Sequence, residues 1–465
     1  MEAVLAQFAM VAVVVNSVMG LEPIVITGSL CLVIESVLLV AELGDDKGTI
    51  KTTAMSDFMK PNVELETNPV FENSSSRINR RTCMLMVTHR CNLNCTYCYE
   101  THKDNKEMSF DMAKSILIKE FEFVKESDKF DELEIDFMGG EPLMNFSLIK
   151  QIVEWLDSES PPVPYICFAS TNGTLLDDGM KDWFSRYRSS ICLGVSYDGC
   201  GSIQSINRGE VTNGIDYNFF RRLWPTQYFK FTISKEGLPN LARSFIEAHK
   251  SGFLLAGSLA QGLDWNANDA KVYLEQLRIL YNFYLDNLNV KPVNLLTRFI
   301  LIETPHQQRK QCKFCGTGEY MQTYDIDGSA YGCHMFTSIV CGEDKKISTS
   351  DIDWDDPNIA EDVFCANCCI KNFCPTCMGF NYHYRGNLAS RDKRFCNMIL
   401  AEAIASCEFQ MKRLAICDDL RTVDDAVFAK FALTAYPVLN QFDVEKSISP
   451  FESDFSNKEG KEVRK

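Results

Sequence analysis

Three cysteines within eight residues, Cys91-Asn-Leu-Asn-Cys95-Thr-Tyr-Cys98, constrain this chain more than any other feature. A C-x3-C-x2-C run gathers three thiols on one short loop. Three thiolates can hold three irons of a cubane cluster and leave the fourth iron open, whereas a structural zinc site needs a fourth ligand close by. His89 and His102 are the side chains near enough in sequence to supply one. Further cysteines follow far downstream: Cys312, Cys315, Cys333, then Cys365-x2-Cys368-x5-Cys374-x2-Cys377, and Cys396. Taken alone, Cys365, Cys368, Cys374 and Cys377 also suit one four-cysteine zinc site. Structural disulfides are rare in reducing compartments. No Lys or Arg precedes Lys47, so the basic start of a secretory signal is missing. The clustered cysteines are therefore expected to bind metal.

The residues around the first cluster alternate between strand-like and helix-like patterns. Apolar runs at Cys83–Thr88, Leu133–Met138, Tyr165–Ala169, Ile191–Ser196, Phe229–Ser234 and Gly252–Leu259 read as strands. Ser109 is placed to cap a helix reaching Lys125, and Phe146–Leu156 and Asp177–Tyr187 read as helices. Strands alternating with helices imply a parallel sheet with crossover helices, and six units over this length suit a partial (β/α)6 TIM-type barrel. Cys91–Cys98 then falls after the first strand, on the face where barrel active sites lie. Beyond Pro305 short hairpin-like strands flank Asp327-Gly328, and residues 397–417 look helical. The balance of 47 Lys+Arg against 63 Asp+Glu, a net charge of −16, argues against a nucleic-acid partner, which needs a basic footprint.

The Cys91–Cys98 run resembles the cluster motif of the radical S-adenosylmethionine (radical SAM) superfamily. Met138-Gly139-Gly140-Glu141-Pro142 resembles that family's second signature, one βα unit later. The resemblance implies that Cys91, Cys95 and Cys98 hold a [4Fe–4S] cluster whose open iron is chelated by S-adenosylmethionine. It places Tyr97 near the adenine, Gly139, Gly140, Glu141 and Pro142 around the methionine amino group, and Ser196 and Arg208 near the ribose or carboxylate. The downstream cysteines resemble the SPASM extension of peptide-modifying relatives, with Cys374 and Cys377 one residue closer than the family spacing. This likeness implies two auxiliary [4Fe–4S] clusters, one on Cys312, Cys315, Cys333 and Cys377 and one on Cys365, Cys368, Cys374 and Cys396. Cys369 is off the pattern.

The expected organisation is a hydrophobic segment (1–43), a polar linker (44–81), a radical SAM barrel (82–304), a SPASM domain (305–400), and a C-terminal helix and tail (401–465). The implied chemistry is reductive cleavage of the cofactor to a 5′-deoxyadenosyl radical, which abstracts hydrogen from a ribosomally made precursor peptide and leads to a thioether or carbon–carbon crosslink. His334, directly after Cys333, is the candidate base. Oxidation of Cys or Ser to formylglycine, as by anaerobic sulfatase-maturing enzymes, is the runner-up. A non-catalytic zinc protein or membrane-tethered scaffold is the reading from another class. A flavodoxin or ferredoxin is the expected reductant, with Arg77, Arg80, Arg81 and Arg90 as candidate docking cations. An anaerobic cytoplasm is the expected location. Residues 3–21, which carry no charge, and 23–41, which carry only Glu35, each approach the length of a membrane span, so residues 3–41 are a candidate membrane contact; a buried helix or strand pair is the alternative.

Overall fold

The computed structural model describes residues 79–298, most of 315–416, a few positions between 432 and 439, and the backbone of four strands between 25 and 54. Cys312, Cys369 and Arg77 lie outside the described residues. The chain divides into two compact units, Ile78–Phe409 with Ala435–Lys465, and Met1–Arg77 with Gln410–Thr434. In the second of these, β1 (Val25–Ile26), β2 (Ser29–Ile34), β3 (Val37–Leu43) and β4 (Ile50–Ala54) form an antiparallel meander in chain order. Most of the apolar stretch 23–41 is therefore strand, and β4 lies in the segment read as linker. Among the described residues no helix is long and apolar enough to cross a membrane.

In the larger unit, β5 (Arg80–Thr88), β6 (Glu132–Gly139), β7 (Tyr165–Thr171) and β8 (Ile191–Val195) pair in parallel, in that order. β9 (Phe229–Ile233) and β10 (Leu255–Leu259) form a parallel pair, joined to β8 by a bridge between Ser196 and Lys230. These are the six strands expected of the partial barrel. Helices Phe110–Glu126, Phe146–Ser158, Asp178–Arg186 and Leu241–Lys250 pack outside. The first is capped as anticipated, Ser109 Oγ accepting from the Met112 N–H at 3.2 Å. Helices Ile203–Arg208, Tyr217–Leu223, Leu241–Lys250 and Ala267–Asp286 are additions to the sequence reading.

Strand alternation sets the two faces. Arg81 stands opposite Leu133 in register, and its buried guanidinium meets Glu120 of the first helix at 3.0 Å. Arg81, Cys83 and Leu85 thus face the helices, as do Leu133, Ile135 and Phe137, which are fully buried. Met84, Met86, Glu134, Asp136 and Met138 face the barrel interior. Arg81 is in consequence no docking cation for a reductant. Arg80 is likewise tied to Glu132 and Glu134, and Arg90 to Glu107.

The downstream segment is built onto the barrel. β11 (Met321–Tyr324) pairs in parallel with β5 and antiparallel with β12 (Ala330–Tyr331), giving a sheet ordered β12-β11-β5-β6-β7-β8. Gly328, at φ +80°, supplies the left-handed residue of the connecting turn. Met86 shares a core with Tyr331, Met335, Phe336, Ile339 and Trp354.

A buried histidine locks this junction. His89, just past β5, contacts Asp325, just past β11, through Nε2 (2.8 Å) and Asp104 through Nδ1 (3.1 Å). Burial alone would raise Asp325, but hydrogen bonds from His89, the Ile326 N–H and Ser338 outweigh it and hold its carboxyl at about 2. A depressed carboxyl stabilises the fold above its unfolded pKa, and that contribution fades as pH falls from about 4 towards 2. At about 1.4 kcal/mol per pH unit the contribution is about 2 kcal/mol. Asp325→Asn should therefore lower stability at pH 7 by at least that amount and flatten the acid limb of denaturant-unfolding curves between pH 4 and 2. An unchanged acid limb would show that the junction does not depend on this carboxylate.

Candidate active site

The Cys91–Cys98 loop leaves β5 at the C-terminal end of the parallel strands and is held from several sides. The Gly140 N–H donates to the Thr88 carbonyl (3.1 Å) and the Glu141 N–H to that of Arg90 (2.8 Å), extending β5–β6 pairing into both motifs. A Cβ on Gly140 would lie 2.4 Å from the Arg90 oxygen and 2.9 Å from Cys91 Cβ. Only glycine permits that approach. Asn172, after β7, donates through Nδ2 to Asn92 Oδ1 (2.9 Å). The Thr96 N–H reaches the Asn207 carbonyl at 2.9 Å, and Lys103 Nζ reaches that of Leu93 at 3.2 Å.

Glu141 is held among protein groups. Its buried carboxylate accepts from Thr171 Oγ1 (2.7 Å) and the N–H groups of Asn172 (2.7 Å) and Leu143 (3.2 Å). It ties the end of β6 to the end of β7. Tyr97 gives its hydroxyl to Asp198, and its ring lies 5.4 Å from the Arg208 guanidinium. Arg208 pairs with the buried Asp198 at 2.9 Å. Ser196 lines the interior beside β9, its N–H bonded to the Thr171 carbonyl at 3.0 Å.

The three thiols influence one another. Burial pushes Cys95 up to about 11, against the pull of Arg208 and with added push from Cys98 and Cys91. Burial also raises Cys91 and Cys98, with Lys103 opposing in both cases. Neither nearby histidine joins them. Both ring nitrogens of His89 are engaged by carboxylates, and His102 Nδ1 faces the Val340 carbonyl (3.2 Å) and Thr101 (3.2 Å). The fourth ligand of a zinc site on this loop is thus not supplied by either.

The downstream thiols fall into two groups. Cys377 is raised to about 12 by burial, then by Cys333 and Cys315. Cys396 is raised to about 12 by burial, then by Cys374, Cys365 and Cys368. Cys374 and Cys377 therefore face different neighbours despite their short spacing. This parts the four cysteines of the single-zinc alternative. Among the described residues no three His, Cys, Asp or Glu side chains converge as a single metal ion requires. The donor set fits a larger anionic group. Arg391 is buried beside Cys365 and Cys374, and its Nε and Nη2 have no hydrogen-bond partner. Its Nη1 reaches the Cys374 carbonyl at 3.5 Å, which leaves two buried donors unsatisfied; that is costly, and a thiolate-bound cluster would supply acceptors and negative charge beside them.

Several residues of the site carry no motif signal. Tyr99 packs edge-on against Phe380 and contacts His334 Nε2 at 3.1 Å through its hydroxyl. Cys98 on one side and Cys333 and Cys377 on the other all push up its pKa, after burial. His334 Nδ1 faces Cys333 Sγ at 3.6 Å, so both ring nitrogens of the candidate base are engaged, and burial lowers its pKa. Glu100 is buried and pushed up to about 8 by burial, against His334 and Lys103. Asp136 and Lys230 point into the interior nearby. Alternation along β6 and β9 could have flagged both as polar residues in lumenal positions.

Known proteins give the same picture. A 4Fe-4S single cluster domain matches residues 80–195. An uncharacterized protein of Methanocaldococcus jannaschii is 36% identical over 116 residues, 25% of this chain and 38% of that one. A radical SAM cyclopropyl synthase of Paramaledivibacter caminithermalis is 28% identical over 144 residues, 26% of this chain and 30% of that one. The matched segments thus span about a third of these relatives' own length. Among solved structures, the enzyme anSMEcpe with bound AdoMet and Cp18Cys peptide superposes with a TM-score of 0.54 at 16% identity, over 72% of this chain and 99% of that one. In cysteine motif, matched domain and fold, this chain is similar to radical SAM enzymes that carry a SPASM domain.

Proposed function

We propose that the chain is a radical SAM/SPASM enzyme that modifies a ribosomally made precursor peptide and installs a crosslink. The observation that carries the reading is the clamping of the Cys91–Cys98 loop onto the Gly139–Pro142 turn, with Tyr99 leading from it to a second thiol group. Peptide binding by anSMEcpe and the peptide class of SPASM relatives support the substrate. When bound, the [4Fe–4S] group and S-adenosylmethionine supply one-electron chemistry that yields a 5′-deoxyadenosyl radical and removes a hydrogen atom from substrate.

This chain's residues then have the following roles. Cys91, Cys95 and Cys98 hold the catalytic cluster. Lys103 and Arg208 offset the negative charge of their thiolates, which must form for ligation. Gly139, Gly140 and Pro142 shape the turn that receives the cofactor, and Glu141 positions that turn from behind. Tyr97 and Ser196 flank the same opening. Cys315, Cys333 and Cys377, with Cys312, hold one auxiliary cluster, and Cys365, Cys368, Cys374 and Cys396 hold the other. The interior face of the barrel receives the peptide, and its walls exclude water from the reacting centre. A flavodoxin or ferredoxin supplies the electron.

Anaerobically reconstituted protein should contain about twelve iron atoms per chain, four for each of three clusters. About four, accompanied by zinc, would sink the auxiliary assignment. With a reductant and a synthetic peptide copied from the short reading frame beside the gene, mass spectrometry should show 5′-deoxyadenosine and a peptide lighter by two hydrogen atoms. Cys91→Ala, Cys95→Ala and Cys98→Ala should each abolish both. Cofactor cleavage that leaves the peptide mass unchanged would count against peptide modification. A product whose cysteine has become an aldehyde would favour the formylglycine reading.

Gly140→Ala tests the clamp. The added methyl collides with the backbone of Arg90, so the cysteine loop must move. Iron bound at the catalytic site should fall, read as lost visible absorbance and lost 5′-deoxyadenosine, while the iron of the downstream groups stays. Full retention of catalytic iron would mean that the loop tolerates the shift and the clamp is not required.

A further inference from the structure

Asp136 is the most conspicuous polar group that the motifs leave without a role. It lies mid-way along β6, opposite Met84 of β5 and Phe168 of β7 in register. Its neighbours on the strand, Ile135 and Phe137, face the helices, so its carboxyl faces the barrel interior. It is 6% exposed. Its Oδ1 is buried with no hydrogen-bond partner. A buried carboxylate oxygen without a donor is destabilising, and such groups persist where something else uses them.

The charged groups facing it come from three elements. Lys230 reaches across from β9, Glu134 shares its strand, and His334 approaches from the turn after β12. Lys230 does not neutralise Asp136 by direct contact. Its ammonium is bonded to Ser170 Oγ and sits 5.3 Å from the Phe168 ring centroid. Phe231, beside it on β9, stacks on Phe245 of the outer helix at 4.4 Å, which fixes Lys230 on the interior face. Lys230 is exposed, so solvent, and hence a substrate, reaches this part of the interior. His334, adjacent to a cysteine, has both ring nitrogens in use. Asp136 is thus an interior acid with an oxygen to spare; Asp198 Oδ1 is likewise without a partner, but that carboxylate already holds Arg208, Tyr97 and Asn207 through its other oxygen.

We propose that Asp136 is a substrate-contacting proton acceptor: its Oδ1 takes a hydrogen bond, and then the proton, from a heteroatom X–H group (thiol, hydroxyl or amide) of the peptide residue being modified. The X–H bond breaks, the proton passes to Oδ1, and the electron pair stays on X. The proposal rests on the reading of the chain as a peptide-modifying enzyme and adds a residue that no motif marks. Burial, opposed by Lys230, holds the Asp136 carboxyl at about 7, where it can exchange a proton near neutral pH. Because its folded pKa is raised, Asp136 costs stability above that value and costs none below its unfolded value near pH 4.

Asp136→Asn provides the test, on the full chain and with two independent readings. Before cluster loading, the variant should melt at a higher temperature than wild type at pH 8 and at the same temperature at pH 4. After loading, with the synthetic peptide described above, it should still release 5′-deoxyadenosine while peptide product slows about 100-fold or more. The wild-type rise in product rate through about pH 7 should vanish in Asp136→Asn and return, shifted, in Asp136→Glu. Peptides in which each Cys is changed in turn to Ser or Ala separate a thiol source of the proton from a hydroxyl or a backbone amide. A wild-type product rate and pH profile in Asp136→Asn would overturn the proposal. So would a lower melting temperature at pH 8, which would make the carboxyl structural. If the wild-type chain itself releases no 5′-deoxyadenosine, the enzyme reading fails first; a melting temperature unchanged at pH 8 would then reject Asp136 separately.

Discussion

Everything at the centre of this molecule depends on the contact between two stretches of bare backbone. Gly140 lies against Arg90 so closely that a single methyl group would overlap the carbonyl oxygen. The contact continues β5–β6 pairing past the strand ends, so the cysteine loop inherits the rigidity of a sheet. From there the restraint spreads sideways. The Glu141 N–H holds Arg90 while its carboxylate holds Thr171 and Asn172, and the Asn172 amide returns to Asn92. The ends of three strands and the loop that carries the thiols are closed into one ring of hydrogen bonds. A site meant to hold reactive groups to within fractions of an ångström needs such support from rigid elements.

The second constraint is charge. Buried thiols resist ionisation, yet ligation requires thiolates. The chain answers with cations placed beside thiols: Lys103 near Cys91 and Cys98, Arg208 near Cys95, Arg391 near Cys365 and Cys374. None appears in a cysteine pattern. Arg208 is itself anchored by Asp198, which also receives Tyr97 and Asn207. Arg391 is the extreme case, since two of its nitrogens await an acceptor. A chain with a net charge of −16 thus still places buried or half-buried cations beside its thiol groups.

Much of the fold was legible because barrel strands are short apolar runs with sharp ends. The apolar run Leu133–Met138 lies within a residue of β6 at each end, Ser109 caps the helix it was expected to cap, and the helix expected from Asp177 begins one residue later with Asp177 as its cap. The helices Ala267–Asp286 and Leu241–Lys250 escaped notice because their polar faces and the loops between them blur the alternation of strand and helix. The N-terminal apolar stretch was ambiguous for a general reason: a continuous apolar run has no period, and backbone pairing rather than composition makes Val37–Leu43 a strand. The motifs likewise named ligands but not their surroundings. Cys91, Cys95 and Cys98 could be read from spacing, whereas the clamp that Glu141 makes on the end of β7 could not. Its partners, Thr171 and Asn172, sit thirty residues away and meet it only through β6–β7 pairing.

The pairing of β11 with β5 does more than attach the downstream segment. Because Tyr324 lies opposite Leu85 in a parallel register, the turn between β11 and β12, which begins at Asp325, is delivered to the C-terminal end of the barrel, where the first cysteine loop also emerges. Had β11 joined the sheet antiparallel, the same hairpin would have pointed towards the opposite rim. His89 and Asp325 hold this register at its upper end, and Tyr99 bridges the two cysteine regions inside it. A one-residue slip would turn Thr323 and Asp325 to the other face of the strand and break the His89 contact. The separation between the two thiol groups is thus set by sheet register, a quantity that proteins hold far more firmly than the position of any loop.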